Sequence, residues 1–544
     1  MQKGIVVSPH ASASSAGAEV LQAGGNCVEA ALAVASALCV VYPHMSGLGG
    51  DAFWLIAPSK EAFPKQDATA SASSQRPLFI DASGPAGKKC NLEALQANGY
   101  GKIPTRGPWS ALTMAGAVGG WIEALNISRA WSLPGHAEQP LGSLFQRAVS
   151  FAHEGFAITP LLHDMLHRNA RVLSTDRAFQ ATYYPQGSAP ERGSSMRLPA
   201  LGKVFERLAK DGLESFYKGA LADEMAQDLA KLGSPLLAED FDYSATVGEA
   251  LALETSWGTF YNSPPPTQGV SSLMILGQLL ALHDKGAVDF QDEGAAIHAM
   301  VEATKNAFTL RNRHVADPRF MEVNCDDWLK EDYLSALASR ISFEKASPWP
   351  VKSQPGDTVW FGVIDRWGNA VSCIQSIYHE FGSGMMLPSS GIVWHNRALG
   401  FSLEREHINC LKPGKKPFHT LNPAMARLAD GRLLSYGTMG GEGQPQTQAA
   451  LMFRYLGQNL SPAEAVKAPR WLLGRTWGEA SDNLKLEENL DNRALSFLHG
   501  RGHSLELVDA QSPLMGHAGL LVRHDDGRLE GGHDPRSDGS VEIV

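Results

Sequence analysis

Asp357-Thr358-Val359-Trp360-Phe361-Gly362-Val363-Ile364 runs into Asp365-Arg366-Trp367-Gly368-Asn369 and returns as Ala370-Val371-Ser372-Cys373-Ile374-Gln375-Ser376. Two apolar runs around a Gly-Asn turn predict a β-hairpin. A loop marked by Pro and Gly, Ser347 to Gly356, leads straight into it, and the hairpin opens on a hydroxyl side chain, Thr358. If the Asp357–Thr358 bond breaks, Thr358 carries a hydroxyl and an α-amine on one residue, and the amine can serve as the base that activates the hydroxyl. An α-amine titrates near ~7.7–8.0, so a useful fraction accepts protons near neutral pH, whereas a lysine amine stays mostly protonated. A nucleophile on a sheet strand is also held more firmly than one on a free loop. Taken alone, Asp-Thr is an ordinary loop-to-strand junction, so the reading rests on the rest of the chain.

Upstream, a short strand (Ile5 to Val7) precedes two Ala-rich helices separated by Gly24-Gly25, with Asn26 placed to cap the second. That second helix, Cys27 to Val41, is apolar on most faces and is predicted to lie buried between layers. Ser59 to Pro77 is polar and Ala/Ser-rich, an expected exposed loop. Leu112 to about Gly286 reads mainly as helix, broken around Tyr184 to Pro190 and at Pro264 to Pro266, and another helix is expected over Gly294 to Arg313. After Thr358 strands dominate: the hairpin, Ile392-Val393-Trp394, Ala424 to Leu428 and Arg432 to Tyr436, then a helix from Gln446 to Leu456. Strands gathered in one half and helices in the other predict an α+β layered fold.

The 544 residues include 47 basic and 57 acidic side chains, and the net charge of −10 disfavours nucleic acid as a partner. No basic run suggests a membrane surface, and the most apolar helical stretch is too short to span one and carries Glu29. Six cysteines without a CxxC pair indicate neither a disulfide framework nor a zinc site, so they are expected as reduced core residues. Met1-Gln2-Lys3 leads directly into the first strand and leaves no room for a signal peptide, so a cytoplasmic location is expected. Leu48-Gly49-Gly50-Asp51 lacks the frame of a phosphate loop. His163 and His167 have the spacing of a metal pair but no further ligands nearby, and read as a solvated helix face.

The stretch from Thr358 to Ser372 resembles the start of the small subunit in the γ-glutamyltransferase family of N-terminal-nucleophile hydrolases. Other blocks agree in order: Gly4 to His10, Ala16-Gly17, Gly24 to Asn26, Pro43-His44-Met45-Ser46-Gly47-Leu48-Gly49-Gly50, Pro264 to Gly269, Glu302 to Lys305, Asp317-Pro318, Phe381 to Gly384, Asn422-Pro423, Gly440-Gly441 and Asp534 to Ser537. Length alone would allow three or four domains. The resemblance instead implies one interleaved unit, a four-layer αββα sandwich built from a large piece (1–357) and a small piece (358–544) of one self-cleaved precursor. It implies an amidohydrolase or acyltransferase of the glutathione hydrolase type, working on a small amide or peptide through an acyl ester, with no metal and no cofactor, and a place in glutathione metabolism. Cleavage would be attack by the Thr358 hydroxyl on the Asp357 carbonyl, with Gly356 helping to bend the chain. Gly440 and Gly441 match the glycine pair whose N–H groups receive the oxyanion. Ser376 matches a hydroxyl position near the nucleophile where threonine is usual.

Substrate recognition departs from the family. The arginine expected to pair with the γ-glutamyl α-carboxylate falls at Ser83, and the acid expected to bind the α-amine falls at Gly400. An expected asparagine is Tyr378, and an expected serine pair is His419-Thr420. Arg397 is new and can fork onto a carboxylate from a different side. Ser402 to Lys416 is short for a lid, which predicts an open cleft for bulkier acyl groups, as in cephalosporin-acylase-like relatives. His379 and Glu380 are candidates for the pocket wall. The altered recognition residues also allow a protein that binds a small amide with little turnover. Retention of Thr358, Ser376 and Gly440-Gly441 together favours an enzyme, because a binder needs no nucleophile and no oxyanion donors.

Overall fold

The computed structural model describes residues 2–62, 76–349, 357–474 and 481–544. Most of the loop expected over 59–77, and Gly356 with its part in bending the chain, lie outside the described residues. Thirteen strands among the described residues form the central layers: β1 (Gly4–Ser8), β2 (Asp51–Ala57), β3 (Leu78–Ala82), β4 (Thr246–Glu249), β5 (Leu251–Thr255), β6 (Gly258–Asn262), β7 (Asp357–Asp365), β8 (Ala370–Tyr378), β9 (Ala424–Leu428), β10 (Leu433–Thr438), β11 (Ala518–Arg523), β12 (Leu529–His533) and β13 (Ser540–Ile543). They pair in the orders β13-β1-β7-β8-β2-β3-β4 and β12-β11-β10-β9-β6-β5. Every ladder in both sheets is antiparallel.

Alternation along each strand sorts side chains into layers. In β7, Val359, Phe361 and Val363 join the core under the first helical layer, while Trp360 and Ile364 point between the sheets, where they meet Phe53, Leu55, Met425 and Leu521. The outer face of the second sheet, including Phe260, Leu434 and Leu520, packs under the other helical layer. Helices α1 (Ala11–Gln22), α2 (Cys27–Val41) and α3 (Ala117–Arg129) cover the first sheet. Helices α4 (Gly269–Asp284), α5 (Glu293–His314), α6 (Gln444–Met452) and α7 (Pro462–Lys467) cover the second, α5 by packing on α4 and α6. This is the αββα sandwich, and each sheet takes strands from both sides of the 357–358 junction.

Local signals explain much of it. Asn26 accepts N–H bonds from Val28 and Glu29 while Glu29 accepts the Asn26 N–H, a complete capping box. All fifteen residues of α2 are buried, as an all-round apolar helix between layers should be. The Asp365 carboxylate accepts the backbone N–H groups of Trp367, Asn369 and Cys27, so the hairpin turn is tied to the first turn of α2.

Three sequence expectations need correction. The region read as mainly helical holds β4, β5 and β6, short strands whose partners β3 and β9 are remote in sequence. Ile392 to Trp394 forms isolated bridges from Val393 to Met386 and from Trp394 to Gly49 rather than a strand. The helix placed at Gln446 begins at Gln444 and passes into a π turn at Phe453–Gly457. The six cysteines are free and buried, and no helix among the described residues is long and apolar enough to cross a membrane.

Candidate active site

Thr358 is buried at the start of β7 and lies on the same face of the strand as Trp360, toward the second sheet. The ladder to β8 is regular up to Val359↔Gln375 and resumes at Asp357↔Tyr378, so two residues, Ser376 and Ile377, stand opposite Thr358. This is a β-bulge at the nucleophile position, a device that re-aims side chains beside active sites. Beyond it Tyr378 takes φ 77°, unusual for a residue with a bulky side chain, and its N–H donates to the Ser376 Oγ at 2.8 Å.

The stacking of the sheets fixes what Thr358 faces. A Cβ at Gly362 would stand 2.8 Å from the Ser435 Oγ, and one at Gly437 would stand 2.2 Å from the Trp360 ring. The Trp360 indole also donates to the Ser372 Oγ, which itself donates to the Tyr436 carbonyl. Residue 362 therefore lies over 435 and residue 360 over 437, so β7 and β10 run past each other toward the ends that carry Thr358 and Thr438. Gly440 and Gly441 have φ of 118° and 53°, values open to glycine at little strain. Among the described residues, nothing accepts the N–H of either glycine.

Three further residues that sequence reading passed over complete the site. Gln268 donates to the carbonyls of both Thr420 and Gly441, at 2.7 and 2.8 Å, and accepts from Arg311 at 2.7 Å. Asp51, set aside with the phosphate-loop reading, pairs in the ladder with Ser376 and is fully buried. Its Oδ1 accepts the N–H groups of Gly84 and Gly116, and its Oδ2 lies 3.2 Å from the His419 Nε2 and 3.3 Å from the His395 Nδ1. Burial alone would raise the Asp51 carboxyl, but the two histidines outweigh it and hold it below the ordinary carboxylate range. Gly49 and Gly50 let these chains close in: a Cβ at either would meet the Val393 or Ser376 carbonyl at 2.3 or 2.2 Å. A signal for Asp51 was present in its position at the head of an apolar strand.

His419 receives N–H bonds on Nδ1 from Leu421 and Arg397, so its proton sits on Nε2, facing Asp51. Burial, and then the Arg397 charge, push it down to about 3, and it is neutral at physiological pH. Arg397 lies 3.3 Å from the Thr420 Oγ1, and its guanidinium stacks 3.7 Å above the Tyr378 ring. Thr358, Ser376, Tyr378, Arg397, His419, Thr420, Gly440 and Gly441 thus gather at one end of the sandwich. Ser83 is turned away, with its Oγ 2.5 Å from an Asp81 oxygen, and Asp81 pairs with Lys416.

Beside this cluster is a cavity of about 290 Å³ whose wall includes Arg311, Arg397, Gly400, Phe418, Thr420 and Glu442. Ser402, Glu404, His407 and Asn409 also line it, and the segment folds down through bonds such as Leu411 N–H to the Ser402 carbonyl and Phe418 N–H to the Asn409 Oδ1. The short loop is thus one wall of a cavity that stays open on another side. His379 and Glu380 are not part of that wall; the His379 ring stacks on Tyr378, and the Glu380 carbonyl accepts from Arg106. His163 and His167 stack on a helix face, 6.2 Å between centroids.

One cluster elsewhere was not foreseen. His298, Glu302 and His503 bring ligand-type atoms within 4.8 Å of one another. Their partners are within the protein: His503 Nε2 lies 2.8 Å from His298 Nδ1, His298 Nε2 donates to the Ser342 carbonyl, and Lys305 pairs with Glu302 at 2.6 Å. The ammonium of Lys305 already occupies the position of a counterion to Glu302.

An αββα sandwich with a buried threonine at the start of a central strand is the architecture of the N-terminal-nucleophile hydrolases. Within that class, the sequence profile described as Gamma-glutamyltranspeptidase matches residues 13–544, and the chain belongs to that family of enzymes. It is 47% identical over 539 residues to the oxamate amidohydrolase proenzyme of Klebsiella pneumoniae, covering 99% of this chain and 98% of that one. It is 35% identical over 544 residues to the glutathione hydrolase-like YwrD proenzyme of Bacillus subtilis, covering 99% and 98%. The crystal structure of cephalosporin acylase from Bacillus halodurans superimposes with a TM-score of 0.86 at 29% identity, covering 99% of this chain and 96% of that one.

Proposed function

We propose that the chain severs its own Asp357–Thr358 bond into pieces 1–357 and 358–544, and that the freed Thr358 hydrolyses small acyl amides through an acyl ester. The observation that carries this is the bulge opposite Thr358 at the buried start of β7; the glycine pair after β10, whose N–H groups have no acceptor among the described residues, supports the reading. In cleavage the Thr358 hydroxyl adds to the Asp357 carbonyl, the acyl group passes from nitrogen to oxygen, and water releases it. In turnover the same hydroxyl attacks the substrate carbonyl, with the new α-amine taking its proton and Gly440 and Gly441 receiving the oxyanion. The amine then protonates the departing amine, and water or an acceptor amine resolves the ester.

Ser376 holds the bulge and the hydroxyl side of the site, while Tyr378, Arg397, His419 and Thr420 form the substrate side. The absence of charge at Ser83 and Gly400 favours an acyl group other than γ-glutamyl. The oxamate amidohydrolase relative supports that preference, and the acylase likeness supports the amide chemistry. Six free, buried cysteines fit a cytoplasmic enzyme, which cell fractionation would check. Denaturing electrophoresis of purified protein should show two fragments, with Thr358 at the start of the smaller. Thr358→Ala should leave one intact, inactive chain; active wild-type protein that stays a single chain would refute the reading.

A further inference from the structure

Two buried arginines face the cavity, and their surroundings differ. Arg311 pairs with Glu442 at 3.0 Å, bonds Gln268 and Asn312, and lies 3.7 Å over the Phe308 ring. Arg397 has no carboxylate within ion-pair distance among the described residues, and its Nε has no acceptor there, although the residue is only 1% exposed. A guanidinium presents five N–H donors in a fixed fork. The neighbours named for Arg397 are a hydroxyl at 3.3 Å, an imidazole nitrogen at 3.4 Å and the face of Tyr378. These orient the fork without neutralising it, and Asp51 is one imidazole away. A buried cation in such a state calls for an anion.

Gly400 explains how the cation fits. Its backbone conformation is not one that requires glycine, since it is absent from the positive-φ positions. Space is the reason: a Cβ there would stand 2.6 Å from the Phe418 carbonyl and 3.2 Å from the Arg397 Nη2. Any side chain at 400 would press on the guanidinium, and an acidic one would pair with it and cancel its charge. Short links also connect Arg397 to the residues read as reacting. Tyr378, under the guanidinium, is the ladder partner of Asp357, and Gln268 binds Thr420 beside Arg397 and Gly441 in the glycine pair at once.

We propose that Arg397, with the Thr420 hydroxyl, receives a carboxylate on the acyl part of the substrate, so that the preferred substrates are monoamides of short dicarboxylic acids without an α-ammonium group. This rests on the reading of Thr358 as the nucleophile. Gly400 is the specificity-determining partner that keeps the fork free, and a substrate ammonium placed beside the guanidinium would be repelled.

The test pairs turnover with binding. Mature wild-type enzyme is assayed on succinamate and on 4-oxopentanamide, which replaces the carboxylate by a neutral acetyl group of similar shape. Succinate binding is measured by calorimetry on wild type, Arg397→Lys and Arg397→Met, with thermal midpoints to check folding. Expected are a kcat/KM at least about tenfold higher for succinamate, and succinate binding weakened about 10- to 100-fold in both variants, since lysine keeps the charge but loses the fork. Equal turnover of the two amides, or succinate binding untouched by Arg397→Met, would overturn the assignment. Arg397-dependent succinate binding without turnover of either amide would instead keep the carboxylate site and remove the nucleophile reading. If a variant does not fold, the comparison of amides on wild type decides.

Discussion

Gly440 and Gly400 show two different reasons for a glycine. Gly440 sits at φ 118°, so Gly440→Ala forces a new backbone path and moves an oxyanion donor; kcat should fall about 10²–10³-fold in a steady-state assay with KM changed little. Gly400→Ala should instead raise KM for an anionic amide about tenfold, by crowding Arg397, and leave kcat near wild type. A split in the opposite sense would exchange their roles. Gly440-Gly441, Arg397 and Thr358 could be picked out along the chain, through the family resemblance and the departures from it and not through their own chemistry alone. His395 and Gln268 could not, and Asp51 showed only its place at the head of an apolar strand, because what makes them matter is partners remote in sequence. The bulge opposite Thr358 is likewise a property of a pairing between two strands, and no residue in the hairpin announces it.

Helix caps and hairpins are local, and the corresponding elements stood where the sequence placed them. Asn26→Ala removes both side-chain bonds at the N-terminus of α2 and should destabilise the protein by about 1 kcal/mol in chemical denaturation. Trp360→Ala opens a void between sheets under Gly437 and Gly519, whose missing side chains leave room for the indole. It should lower stability by about 3–5 kcal/mol and slow precursor cleavage, since the strand carrying Thr358 loses its seat against β10. Undiminished stability of that variant would mean that the sheets are held apart by other contacts. Strands β4, β5 and β6 escaped sequence reading because each is four or five residues long; β4 and β6 gain their order from distant partners, and β5 is an edge strand ordered by its short hairpin with β6.

Over the whole molecule, buried histidines tie stability to acidity. Burial lowers His10, His503 and His517 to about 4 and His419 to about 3, from an ordinary 6.5. Below pH 6.5 the unfolded chain takes up these protons while the folded protein refuses them, so folding weakens as pH falls, by about 1.4 kcal/mol per pH unit for each histidine. Thermal midpoints should drop steeply between pH 6.5 and 4, and further below that as Asp51, held under the ordinary carboxylate range, is forced to take a proton. A flat profile would show that the rings are solvated. The layered α+β class was legible from the sorting of strands and helices, and the sandwich from family resemblance, but the strand orders were not, because register across sheets is written in contacts and not in runs of residues.

Strand β1 lies between β13, the last strand of the chain, and β7, which begins at the scissile dipeptide. Residues 540–543 are thus the far-side partner of β1, and removing them leaves the support of the strand that carries Thr358 one ladder short. Deleting residues 540–544 should leave the precursor unsevered on a denaturing gel, long after full-length chains have divided.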